Sequence, residues 1–233
     1  MNQLATRMIT STGDERVYFR RVFAWMSGAL AVTGVVAAAV GHSQTAMHAL
    51  LSGSGSWLFI ALLVIEVALV GALVGLVQHM DLFQTVATFI GYAALNGVTL
   101  SIVFALFTTK SIFATFLVTA GMFGALALIG ATTSIDLTKW GSFLFMALIG
   151  QLIGLVVNLI WFNSLLYWVT TATGILLFSA LTAYDVQKLK RYEQPAGADE
   201  EAVEKSAIVG ALALYLDFVN LFLYLLRLFG RRR

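Results

Sequence analysis

The stretch Ala207–Phe229 reads AIVGALALYLDFVNLFLYLLRLF. It is long enough to cross a bilayer as a helix, which takes about 20 apolar residues. Yet it carries Asp217, Asn220, Tyr215 and Tyr224. Wound at the helical repeat, Gly210, Ala213, Asp217, Asn220 and Tyr224 fall on one face, within roughly 80° of arc. Leu, Phe and Val fill the opposite side. A charge at the bilayer centre costs roughly 2.5–3.5 kcal/mol on insertion scales. A spanning helix with such a stripe turns it into protein or towards a cavity. The segment therefore calls for other membrane helices around it.

The rest of the chain supplies them. Of 233 residues, 60% are hydrophobic and 11% charged, with one proline and no cysteine. Mean hydropathy is +0.89. A soluble fold of this size cannot hide so much apolar surface. That excludes a secreted domain, a cytosolic enzyme and a disordered chain. Without cysteine there are no disulfides, no thiolate catalysis and no Cys-based metal sites. The net charge is +2, with the cations at helix ends, so no nucleic-acid partner is expected. Six further apolar runs precede the last: Val22–Val40, Trp57–Val77, Phe83–Phe107, Ile112–Ala131, Trp140–Ile160 and Leu165–Val186. They are continuous and far longer than barrel strands, so a β-barrel is excluded. The first follows about twenty mostly polar residues and has more membrane segments behind it, unlike a signal peptide. The expected fold is an all-α integral membrane protein with seven transmembrane helices. Its parts are a cytoplasmic tail (1–21), a single transmembrane domain (22–229) with a cytoplasmic connection at 187–206, and a basic C-terminal tail (230–233).

Orientation follows from Lys and Arg. With the N-terminus inside, the cytoplasmic side holds Arg7, Arg16, Arg20, Arg21, Lys139, Lys188, Lys190, Arg191 and Lys205. The outer side holds Lys110, Arg227 and Arg231–Arg233. The arginine run at the outer end opposes this choice unless the seventh segment re-enters or the C-terminus returns to the cytoplasm. The connection 187–206 contains Pro195 and an acidic cluster, Asp199, Glu200, Glu201 and Glu204. It reads as a loop with a helical second half. Gly71–Gly75 and Gly150–Gly154 fit the small-xxx-small pattern of helix contact. Trp57, Trp140, Trp161 and Trp168 stand near span ends as interface anchors.

Few ionisable groups lie inside spans: Glu66, Asp185, Asp217 and Arg227. Asp185 is near the inner end of the sixth span, and Asp217 is about 15 Å up the seventh by helical rise. A tilted or frayed end brings the two depths together. Two carboxylates at hydrogen-bond distance in low dielectric share one proton and titrate as a pair. Such a pair is a proton-sensitive latch and, once deprotonated, an oxygen site for a hard cation such as Ca²⁺. Glu66 is either a third acid on a cation path or a hydrogen-bonded core residue. Asn220 and Tyr224 share the Asp217 face and extend the candidate pathway. Asn96, Thr99, Gln151 and Asn158 either line a cavity or bond between helices. Arg227 reads as a snorkelling anchor.

Ala183-Tyr184-Asp185-Val186-Gln187, the run from Ala213 to Phe222 (ALYLDFVNLF), and Leu225-Leu226-Arg227 resemble the Bax inhibitor motif family of membrane proteins. Weaker matches are Asn96–Leu100 and Leu63–Val67. The resemblance implies a last, central helix surrounded by the other six. It also implies a pH-sensitive calcium leak gated by an aspartate pair, at Asp185 and Asp217 here. Some relatives place a basic latch residue near the inner end of the second helix. This chain offers Gln78 and His79 there. The expected function is a calcium leak channel, not an enzyme. It takes no cofactor, Ca²⁺ and H⁺ are its ions, and Asp185 and Asp217 are transient Ca²⁺ ligands. The alternatives are an H⁺/Ca²⁺ exchanger using the same residues, or a regulatory partner of a membrane protease or stress pathway. Short loops suit a bacterial inner membrane.

Overall fold

The computed structural model describes residues 2–51, 55–191 and 199–232, with side chains described from residue 16 onward except at 51, 55 and 56. Pro195, the rest of 192–198 and Arg233 lie outside the described residues. The helices are α1 (Asn2–His42), α2 (Gln44–Leu51), α3 (Gly55–Leu76), α4 (Leu82–Leu100), α5 (Ile102–Leu106), α6 (Thr109–Thr132), α7 (Gly141–Ile160), α8 (Ser164–Lys190) and α9 (Glu200–Phe229). They provide seven spans long and apolar enough to cross a membrane, at Arg16–His42, Trp57–His79, Leu82–Leu106, Thr109–Thr132, Leu137–Ile160, Ser164–Lys190 and Glu200–Phe229.

Polar residues at the span boundaries set where helices start. Asp81 and Gln84 form a reciprocal capping box at α4, with Gln84 N donating to Asp81 Oδ1 (2.7 Å) and Asp81 N to Gln84 Oε1 (3.2 Å). Asn163 caps α8 by accepting from Leu165 N (2.8 Å) and Leu166 N (3.1 Å). Asn158 accepts from Asn163 N (3.0 Å), so it fixes the α7–α8 turn. The third span, read as one run, is broken at Ser101, whose Oγ donates to Val98 O (2.6 Å). A serine satisfied by its own backbone competes with continued helix. The second half of the connection 187–206 is helical from Glu200, as its sequence suggests.

The chain forms two compact units, and α9 contributes to both. The first comprises Met1–Leu106 and Glu193–Leu212. In it α4 packs against α1 and α3. Gly97 permits the α1–α4 approach, because a Cβ there would lie 2.8 Å from Thr33 O and from Val36 Cβ. Thr33 Oγ1 donates across to Ala93 O (2.8 Å). Arg21 ties α1 to the start of α9 through Glu204 (2.7 Å) and Glu200 (3.1 Å), and Trp25 Nε1 donates to Glu204 Oε1 (2.5 Å).

The second unit comprises Phe107–Tyr192 and Ala213–Arg233. Here α8 packs against α6 and α7. Gly130 meets the backbone of Ala183, and Gly174 receives the ring of Tyr224. Phe178, Leu221, Tyr224 and Leu225 form the core between α8 and α9. Burial singles out α9: 67% of its membrane window is buried, against 11–39% for the other six. Its apolar residues Leu212, Leu214, Tyr215, Leu221 and Leu226 are at 0–1% exposure.

Two readings need correction. Gly71, Gly75 and Gly150 touch nothing that a Cβ would meet, and only Gly154 approaches a neighbour, Thr170. Spacing places small residues on a shared face but does not say where the neighbouring helix lies. The seventh segment does not re-enter. It runs unbroken to Phe229, and the chain then turns at Gly230 onto the start of α6. Thr108 N donates to Arg231 O (3.1 Å), and Arg231 N donates to Ser111 Oγ (3.0 Å).

One substitution therefore has opposite signs at two glycines. Gly130→Ala forces α6 off α8 and lowers stability by about 1–3 kcal/mol. Gly71→Ala, with nothing to meet, leaves stability unchanged or raises it by up to about 1 kcal/mol through helix propensity. Unfolding of both variants in detergent micelles checks the contrast.

Candidate functional site

Asp185 and Asp217 meet in the second unit, where their carboxyl groups come within reach of each other. Asp185 lies on the last turns of α8 and is half-buried, while Asp217 lies in the middle of α9 and is 4% exposed. α8 continues past the expected end of its span to Lys190, so Asp185 sits on intact helix. The two aspartates therefore meet without fraying of the α8 end. A hydrogen bond between two carboxyl groups needs a proton on one of them, so a single proton would suffice to join the pair. Asp217 Oδ2 has no donor and is the single buried side-chain polar atom without a partner among the described residues. Lys188, one turn beyond Asp185, is the cation that acts on it electrostatically.

The pair rests on a braced end of the unit. Gln187, two residues past Asp185 and 3% exposed, grips the α6–α7 connection. Its Nε2 donates to Ile135 O (2.8 Å), and its Oε1 accepts from Leu137 N (2.7 Å). Lys190 Nζ donates to Ala131 O (2.7 Å), and Arg191 pairs with Asp136 (2.5 Å). Gln187 had no assigned role in the sequence, although it closes the motif that begins at Ala183.

Asn220 and Tyr224 continue the Asp217 face towards the far end of α9. Asn220 is half-buried, and its Nδ2 donates to Leu216 O of its own helix (2.8 Å). Tyr224 is 4% exposed and accepts from Gln151 Nε2 (2.7 Å). Gln151 also donates to Thr170 O (2.7 Å) and accepts from Thr173 Oγ1 (2.9 Å), so it bridges α7, α8 and α9. Of the two readings for Gln151, the interhelical bond is the one realised.

Glu66 belongs to the first unit. It is 8% exposed, and each carboxyl oxygen has one donor, Thr99 Oγ1 (2.8 Å) and Asn96 Nδ2 (3.2 Å). Its partners were in the sequence, thirty and thirty-three residues away, but no local pattern connects them. Gln78 and His79 sit on a single 3₁₀ turn with exposed side chains. Arg227 is not a free anchor. Its guanidinium lies over the rings of Tyr224 (5.4 Å) and Tyr167 (5.9 Å). No group of three or more His, Asp or Glu side chains converges among the described residues. The two aspartates are thus the carboxylate oxygens on offer to a cation in the second unit's interior.

Residues 15–233 match the family described as inhibitor of apoptosis-promoting Bax1. The chain belongs to this Bax inhibitor family. It is 43% identical over 219 residues to the inner membrane protein YbhL of Escherichia coli K12, covering 94% of this chain and 93% of YbhL. It is 41% identical to a protein of Borreliella burgdorferi, covering 93% of this chain and 92% of that one. Protein RP147 of Rickettsia prowazekii is 39% identical, over 99% of this chain and 97% of its own length. The resemblance read from residues 183–187 and 213–227 is thus a family relationship over almost the whole chain. This Bax inhibitor protein is a multi-pass membrane protein with seven spans.

Asp136, between spans, reports on the braced end. The Thr138 hydroxyl above all holds its carboxyl below the usual aspartate range; burial opposes it less strongly, and the Thr138 amide and Arg191 add smaller support. A depressed folded-state value contributes stability that is complete above the unfolded value, about 4. It is lost as pH falls through the lower folded value. Amide protection at Thr138 should survive at pH about 4 and fall on further acidification. In Asp136→Asn that acid step is absent. Hydrogen exchange across the 133–140 loop, corrected for intrinsic rates, checks both.

Proposed function

We propose that this protein is a pH-sensitive calcium leak of a bacterial inner membrane, with its N-terminus in the cytoplasm, gated by the Asp185–Asp217 pair. The observation that carries this reading is the buried carboxyl pair with one oxygen, Asp217 Oδ2, left without a donor. While one proton is shared, the pair joins α8 to α9. Once that proton leaves, two negative charges stand at hydrogen-bond distance in a medium of low dielectric. They separate or recruit a cation. Either response biases an equilibrium between arrangements of α8 and α9, and proton occupancy sets its position. Ca²⁺ is a hard ion that takes carboxylate oxygens. A site with only two of them binds it weakly enough to release it, as a conduction path requires.

The family membership and the inner-membrane name of the relative YbhL support the membrane and the ion-handling class. In the same reading Glu66 is a second acidic station, in the first unit, and Asn220 and Tyr224 extend the path along α9. An exchanger would use the same pair, so the distinction is thermodynamic: a leak needs no opposing proton gradient.

The test is Ca²⁺ flux into proteoliposomes across a pH series with no proton gradient. Wild type should pass Ca²⁺ with a pH-dependent rate. Asp217→Asn, which keeps a hydrogen-bonding group but cannot ionise, should flatten that dependence. Asp185→Asn should do the same, because the titration belongs to the pair. Flux that appears only with an opposing proton gradient marks the exchanger. Absent wild-type flux, or an identical profile in the mutants, overturns the gate. It would favour a regulatory role for the tail 1–21 and the connection 187–206 towards a membrane protease.

A further inference from the structure

The end of the second unit away from Gln187 concentrates positive charge without an acidic side chain of the unit beside it among the described residues. The acidic residues of this unit are Asp136, Asp185 and Asp217. Asp136 is at the braced end, and Asp217 is ten residues before Arg227, about 15 Å along the helix. The opposite end holds Lys110, Arg227, Arg231 and Arg232. Two of these converge on one side chain. Arg227 lies over the face of Tyr167, and Arg232 Nη2 donates to its hydroxyl (3.3 Å).

Arg227 makes no hydrogen bond and no ion pair among the described residues. The faces of Tyr167 and Tyr224 attract the cation but leave its five N–H donors in need of acceptors. Arg232 is not on a loose tail. Gly230 lets the chain turn, because a Cβ there would strike Leu226 O and the Phe107 ring. Thr108 and Ser111 then pin Arg231. Arginine presented on a fixed backbone loses less freedom when it binds. The depth is set by neighbours on the same end: Trp161 is 73% exposed, Phe162 79% and Trp168 53%. Such aromatic side chains mark the headgroup layer of a membrane. At that depth the planar guanidinium meets phosphodiesters, which it matches with paired N–H donors.

We propose that Arg227, Arg232 and Tyr167 form a binding site for the phosphate of an anionic phospholipid headgroup. Tyr167 aligns the two guanidinium groups, Arg227 from the helix and Arg232 from the folded-back tail. The lipid phosphate supplies the acceptors that the protein lacks there. This site is independent of the aspartate gate and stands or falls separately from it.

The full chain, purified in neutral detergent, is titrated with phosphatidylglycerol, and retained lipid is read by native mass spectrometry. Wild type should retain phosphatidylglycerol in preference to phosphatidylcholine, and inorganic phosphate at equal concentration should not displace it. Arg232→Gln, an exposed change beyond the last helix, should lower retention roughly fivefold to tenfold. Arg227→Gln should act in the same direction. Lys139→Gln, at the other end of the unit, should leave retention unchanged. Wild-type retention in Arg232→Gln, or equal loss in Lys139→Gln, overturns the site. Equal retention of phosphatidylcholine, or displacement by inorganic phosphate, overturns its assignment to an anionic lipid.

Discussion

Two carboxyl groups facing each other in a low-dielectric interior are the constraint around which the second unit is arranged. Neither Asp185 nor Asp217 is tolerable alone at that depth: an ionised carboxylate without a partner loses its hydration and gains nothing. Together they need only one proton and a close helix pair. The closeness comes from small residues at the right places. Gly174 accepts the Tyr224 ring on the α8–α9 side, and Gly130 accepts the Ala183 backbone two residues before Asp185 on the α6–α8 side. Gln187 then fixes the end of α8 against the 133–140 connection.

Elsewhere the buried polar groups are settled by their neighbours. Gln151 has partners on both α8 and α9. Glu66 has a donor for each oxygen. Thr33, Thr119 and Thr182 bond back to carbonyls one turn earlier. Against that background the open oxygen of Asp217 is informative. Among the described residues every other buried side-chain polar atom has a partner, so this one free acceptor beside a second carboxyl group is the exception.

Much of this was legible from the chain. Seven spans follow from apolar run length, since the bilayer fixes how long a helix must be. Asp217 was marked by expense, and Asp185 by its position one span earlier at a depth helical rise could reach. The residues 213–227 were specific enough to indicate the family. Less legible were features that depend on how a helix is rotated. Gly71 and Gly75 share the spacing of packed glycines yet touch nothing. Arg227 looked like an anchor because Tyr167, the ring it meets on α8, cannot be seen in the sequence of α9.

What the sequence determined by itself was the solvent, the number of spans, the family and the two aspartates worth pairing. Those depend on composition, length and local periodicity, which the chain carries residue by residue. Only the tertiary structure decided that Asp185 and Asp217 come together, that Glu66 is satisfied by Asn96 and Thr99, and that Arg231 folds back onto the start of α6. The reason is physical. A partner thirty or more residues away is chosen by the rotation and tilt of whole helices, and packing sets those angles through contacts no single segment contains.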